Sequence, residues 1–116
     1  MSNQLAVLFP GIGYHIDKPL LYYSAKLARA RGCEILAVQY PALPTGLRGH
    51  AEKIEQAVQI ALAAAEEQLA AIDWTAYDRV FFLSKSIGTA IAARYAAQHG
   101  IHPRQVYYTP IEQTLP

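Results

Sequence analysis

Ser86 is the residue of this sequence best placed to do chemistry. It sits in Ser84-Lys85-Ser86-Ile87-Gly88, between the apolar run Val80-Phe81-Phe82-Leu83 and the small-residue run Ala90-Ile91-Ala92-Ala93. The first run reads as a buried strand, and the second suits a helix lying close on a sheet. A strand that turns into a helix within about two residues strains the residue at its tip and pushes that side chain out of the turn. Small residues are needed two positions before and two positions after, because the two backbones nearly touch. Ser84 and Gly88 meet that need. The pattern is the nucleophile elbow, usually G-x-S-x-G, with Ser84 in place of the first glycine. A serine hydroxyl presented in this way is a candidate nucleophile for acyl transfer once a base is positioned beside it. The plainer alternative is a serine-rich turn in which Ser84 or Ser86 caps the helix.

The elements that must hold this turn are legible along the chain. Leu5 to Phe9 reads as a first strand buried on both faces, and Pro10-Gly11-Ile12-Gly13-Tyr14-His15 as a loop. Asp17 is placed to cap the next helix and Pro19 fits its first turn. Leu20, Tyr23, Ser24, Leu27 and Ala28 are expected to form that helix's buried side, and Gly32 to end it. Glu34 to Tyr40 reads as the second strand, followed by a loop. A long helix is expected from about His50 to Ile72, with Ile54, Ala57, Val58, Ala61, Leu62, Ala65 and Leu69 recurring at helical spacing. The third strand leads into the elbow, and the third helix runs to about His99, where Gly100 and Pro103 stop it. Gln105 to Thr109 is a fourth strand. Strands alternating with helices imply a parallel sheet with right-handed crossovers and helices on both faces. The strand-to-helix loops then share one edge of the sheet, where such folds bind ligands. That edge collects residues 10–17, 40–50 and 84–87, and Thr109 onward.

A chain of 116 residues holds one domain, here 1–116. It is 53% apolar and 16% charged, which supplies a packed core and excludes a disordered chain. A net charge of +1 without a basic run argues against nucleic acid as a partner. Cys33 is the single cysteine, so no intrachain disulfide and no thiolate zinc cluster is available, and packing at the start of a strand is its expected role. The N-terminus lacks the basic region of a signal peptide, and nothing approaches about 18 apolar residues in a row. A cytoplasmic location away from membranes is the expectation.

The elbow, taken with a strand followed by Pro10-Gly11-Ile12-Gly13 and a helix, resembles the alpha/beta-hydrolase family. The likeness is to its small, cap-poor serine hydrolases, such as esterases and dienelactone-hydrolase-like proteins. It runs the length of the chain but corresponds to the N-terminal half to two-thirds of such a domain. It implies a three-layer α/β/α fold with a parallel sheet of about four strands in the order 2-1-3-4, a truncated alpha/beta-hydrolase fold. It implies a small-molecule ester or related acyl substrate, with Ser86 as nucleophile and no metal or other cofactor. The oxyanion hole would be formed by the N–H of Ile87 and the backbone of Ile12, with Gly13 beside it. Pro10 stands where the family's loop motif often has His. Two converging N–H groups stabilise the charge that develops on a carbonyl oxygen, and one such donor is worth about 3 kcal/mol. Tyr14, His15, Tyr40 and Lys85 are candidates to shape the pocket, with Tyr40 equally suited to be a core aromatic at a strand end.

The family's order of Ser, then acid, then His is not met. After Ser86 the only acid is Glu112, and no His follows it. His99 and His102 follow a helix about 20 Å long, which places them at the sheet edge away from Ser86. His15 and His50 belong to the correct edge. His15 with Asp17 as partner would make a base in a different order, against a plainer reading as polar loop and helix cap. The expectation is that a missing part carries further strands, the acid and the base. The strand 105–109 would then be an exposed apolar edge that pairs with a second copy or with a C-terminal fragment.

Two other readings compete. Gly11-Ile12-Gly13 has the strand-then-helix context of a dinucleotide-binding loop, but Ile16 stands where the third Gly belongs and Gln39-Tyr40 where an acid should hold the ribose. No P-loop sequence is present. A non-catalytic, flavodoxin-like interaction domain is the other reading.

Overall fold

Two segments, Leu5 to Phe9 and Val80 to Ser84, must lie centrally in any sheet this chain forms, because each is apolar or small on both faces. The computed structural model describes residues 3–11, 19–41 and 51–108. Its elements are β1 (Gln4–Phe9), α1 (Pro19–Ala30), β2 (Cys33–Ala37), α2 (Ala51–Leu69), a 3-10 turn (Trp74–Ala76), β3 (Arg79–Lys85), α3 (Ile87–His99) and β4 (Arg104–Tyr108). All the strand pairs are parallel, in the order β2-β1-β3-β4, with β1 and β3 central. This is the expected α/β architecture.

Alternation along the central strands divides the core in two. Leu5, Val7, Phe9 and Phe82 join the buried stripe of α2 and the apolar side of α3 in the larger cluster. Ala6, Leu8 and Leu83 meet Leu21 of α1 and Cys33 of β2 in the smaller one. Cys33, at the start of its strand, therefore packs as expected. Phe9, Phe82, Trp74 and Tyr95 pack tilted or edge-on through the larger cluster, with ring centroids 4.9 to 6.2 Å apart. Asp73 caps the 3-10 turn by accepting from the Thr75 N–H at 3.0 Å. α2 is clamped to α3 by the bidentate pair of Arg94 with Glu55, at 2.6 and 2.8 Å.

Three local expectations are corrected. β2 ends at Ala37 rather than Tyr40. Val38 still donates to the Leu8 carbonyl, but both backbone groups of Gln39 turn to the side chain of Gln68 and leave the sheet. α2 ends at Leu69 rather than Ile72, where the Ile72 N–H folds back to the Leu69 carbonyl. Among the described side chains of α1, which do not include Leu20, Leu21 is buried and Ser24, Ala25 and Ala28 are half-buried, whereas Tyr23 and Leu27 are each 61% exposed. α1 lies on β2, β1 and β3, and the hydroxyls of Ser24 and Tyr108, 2.8 Å apart, tie it to β4. β4 is an edge strand, pairing among the described residues with β3 alone. No helix among the described residues is long and apolar enough to cross a membrane.

Candidate functional site

β3 ends at Lys85 and α3 begins at Ile87, so the chain must reverse at one residue. Ser86 takes φ 53° and ψ −122°, and it is the one non-glycine residue with positive φ among the described residues. Its side chain makes no capping hydrogen bond, so the plain helix-cap alternative does not describe this turn. A conformation of this kind costs about 1–3 kcal/mol and persists only where the surroundings over-determine it.

The surroundings do so from both sides. The Ser86 N–H donates to the Tyr108 carbonyl of β4 at 2.9 Å. The Ser86 carbonyl accepts from the Thr89 N–H at 2.9 Å and from the Thr89 hydroxyl at 2.6 Å, and Thr89 is fully buried. The small residues flanking the tip are there for space. A Cβ on Gly88 would lie 2.1 Å from the Phe9 carbonyl oxygen and 2.7 Å from that of Pro10, so the first turn of α3 rests directly on the end of β1. Ser84, in the position of the motif's first glycine, is fully buried, and its hydroxyl donates to the Val106 carbonyl at 3.3 Å. That bond satisfies the buried hydroxyl and explains how Ser stands where Gly is usual.

The loop after β1 starts against the elbow. A Cβ on Gly11 would be 3.1 Å from both the Lys85 carbonyl oxygen and the Ser86 Cβ. Ile12, Gly13, Tyr14 and His15 lie outside the described residues, as do Asp17, His50 and Glu112. Ile87 is buried as the first residue of α3, where an N–H has no acceptor inside the helix and the helix dipole is positive.

The histidines of the described segments lie elsewhere. His99 ends α3 at the far edge of the sheet, stacked on Tyr95 with centroids 4.2 Å apart and bonded to Glu66 Oε2 at 2.7 Å. His102 is exposed in the turn that follows. Both are surface residues, as their position after the third helix implies. Tyr40 packs against the larger core cluster, the second of its two expected roles. Its hydroxyl is buried with no hydrogen-bond partner among the described residues, and burial pushes its ionisation up. Lys85 is half-buried directly before Ser86. Among the described residues no three His, Cys, Asp or Glu side chains converge to hold a metal.

Sequence reasoning passed over three residues that make the elbow: Gly11, Thr89 and the backbone of Tyr108. The first two carried a signal. Gly11 is the first glycine of Pro-Gly-x-Gly, and a threonine three residues after the tip is spaced to bond back to the tip's carbonyl. Tyr108 contributes a main-chain oxygen, which its side chain does not announce. In comparisons with known proteins, no family model matches the sequence and no curated protein matches it.

Proposed function

We propose that this chain is a serine hydrolase of the alpha/beta-hydrolase type, acting on an ester or related acyl substrate through Ser86. The observation that carries the proposal is the backbone of Ser86, held in a strained conformation at the junction of a central parallel strand and a helix, with its hydroxyl left out of helix capping. A turn built only to reverse the chain gains nothing from strain at a non-glycine residue. A turn built to present a hydroxyl does. The Ser86 oxygen attacks the acyl carbon, the hydroxyl proton passes to a base, and the Ile87 N–H donates to the oxyanion. A partner donor comes from the loop that Gly11 begins, in which Ile12 and Gly13 are the proposed residues. The leaving alcohol departs and an acyl-serine forms, which water then cleaves. The chemistry calls for no cofactor, and its setting is the cytoplasm.

A second reading has one observation in its favour: both described histidines lie at the far edge of the sheet. Under it, the elbow survives in a non-catalytic interaction domain. Time-resolved release of p-nitrophenol from p-nitrophenyl acetate separates the two. The hydrolase reading predicts a burst approaching one equivalent per chain, absent in Ser86→Ala, followed by slow turnover. Equal release by the wild type and Ser86→Ala would exclude it.

A further inference from the structure

Ser24, Leu27, Ala28 and Arg31 fall at i, i+3, i+4 and i+7 and make one stripe along α1 and just past its end. Facing them, alternation puts Phe81 and Leu83 of β3 and Val106 and Tyr108 of β4 on one side of the sheet. The two sets border a cavity of about 260 Å³. Its middle is apolar, built by Leu27, Ala28, Phe81, Leu83 and Val106. The end toward the last residue of β4 is closed, because the Ser24 and Tyr108 hydroxyls lie 2.8 Å apart and bridge helix to strand. The bridge also fixes the spacing of the two walls, so the cavity is built into the fold.

The other end is cationic. Arg31 lines it together with Gln4 and Cys33, the first residues of β1 and β2. Alternation also puts Arg79 on the face of Phe81 and Arg104 on the face of Val106, with Arg104 in register with Phe81. None of these three arginines forms an ion pair with a described residue. Two acids near the strand starts are held elsewhere: Glu34 accepts from the Tyr77 hydroxyl at 2.8 Å, and Asp78 from the Asn3 N–H at 3.2 Å. Pro19 to Arg31 contains no acid, and β4 contains none either. The cavity is thus closed at one end, apolar along its middle and positively charged at its mouth.

We propose that this cavity binds a free straight-chain carboxylate of about eight carbons, with its chain between α1 and the sheet and its carboxylate on Arg31. An apolar cavity of about 150 Å³ holds the six carbons of benzene, so this one takes about ten non-hydrogen atoms, the number in octanoate. Seven residues of helix separate Ser24 from Arg31, about 10 Å, which is about the length of an extended chain of that size. The arginine selects the charge, since a guanidinium offers a carboxylate two parallel N–H donors and repels an amine. The chain would cover Leu27 and Val106, which are 61% and 40% exposed. The Ser24–Tyr108 bridge sets the upper limit of chain length. The site makes no use of the Ser86 hydroxyl.

Titration of the isotope-labelled protein with octanoate, followed by amide chemical shifts, reads affinity and location together. Saturable shifts are expected at Leu27, Ala28, Cys33, Leu83 and Val106. Affinity should rise about fourfold per methylene from hexanoate to octanoate and level off by dodecanoate, where the bridge stops the chain. Octylamine should bind at least about tenfold more weakly than octanoate at low salt. That preference should collapse in the Arg31→Glu, Arg104→Glu double variant. Val106→Trp, which fills the cavity from an exposed position, should abolish binding, and Ser86→Ala should leave it unchanged. Shifts confined to Ile87, Gly88 and Thr89 would put octanoate at the elbow and overturn the proposal, whether or not Val106→Trp folds. So would the absence of saturable shifts, equal binding of octanoate and octylamine, or affinity that climbs unbroken to dodecanoate. Undiminished binding in a Val106→Trp variant with a wild-type thermal melt, or capture by phosphatidylglycerol vesicles without octanoate binding, would overturn it as well.

Discussion

At Ser86 the backbone stores strain that three hydrogen bonds and two close contacts keep in place. Glycine adopts φ near 53° freely, so Ser86→Gly should relieve the strain while adding entropy to the unfolded chain. The net expectation is a gain of about 1 kcal/mol in urea denaturation, with reactivity toward acyl substrates lost. Ser86→Ala keeps the strain and should leave stability within about 0.5 kcal/mol of wild type. Gly88 has the opposite character. Its φ is ordinary, but the Phe9 and Pro10 carbonyls leave no room for a methyl group. Gly88→Ala should destabilise by about 3 kcal/mol, read from the same titration, because helix and strand backbones must move apart. The residues of the elbow were legible because strain has a chemical signature: small residues at fixed offsets around a serine. The groups that brace it were less so. Thr89 reads as one more small helix residue, and a main-chain carbonyl such as that of Tyr108 has no signature at all.

The elements were legible where an apolar pattern is strict, and less so where a neighbour decides. β1, β3 and α3 carry uniform apolar or small runs that fit one place in a parallel sheet. β2 stops at Ala37 because Gln68, remote in sequence, takes both backbone groups of Gln39. α1 offered two apolar flanks, and the sheet covered the one with Leu21. The α2–α3 clamp is a pairing of the same remote kind, and it makes stability depend on pH. The Arg94 guanidinium holds the Glu55 carboxyl down at about 2, against an ordinary value of 4.5, with Gln59 assisting. A carboxyl lowered by folding stabilises fully above its unfolded value and ceases to do so as the pH falls through its folded value. Wild type should therefore exceed Glu55→Gln in stability above about pH 4.5, and the difference should vanish between there and about pH 2. Because Glu55 is 42% exposed, solvent screening limits the difference to no more than about 1 kcal/mol. Urea denaturation across that range tests the slope, and about 1 M salt should flatten it.

For the whole molecule, the alternation of strands and helices was sufficient to give an all-parallel sheet with helices on both faces, since right-handed crossovers leave few other arrangements. The order β2-β1-β3-β4 makes β3 a central strand, so its end opens among loops rather than at a rim. The same order leaves β4 pairing with β3 alone among the described residues, and the Ser24–Tyr108 hydroxyl contact at 2.8 Å ties it to α1, a link between remote residues that no local pattern reveals. The claim on which the functional reading rests is that one hydroxyl, among all the serines, threonines and tyrosines of the chain, is activated. Peptide mapping by mass spectrometry after treatment with a fluorophosphonate tests it directly. The prediction is a single phosphonyl adduct on Ser86, with no adduct anywhere in Ser86→Ala. An unmodified Ser86 at probe concentrations that label a serine esterase completely, or adducts spread over surface hydroxyls, would contradict it.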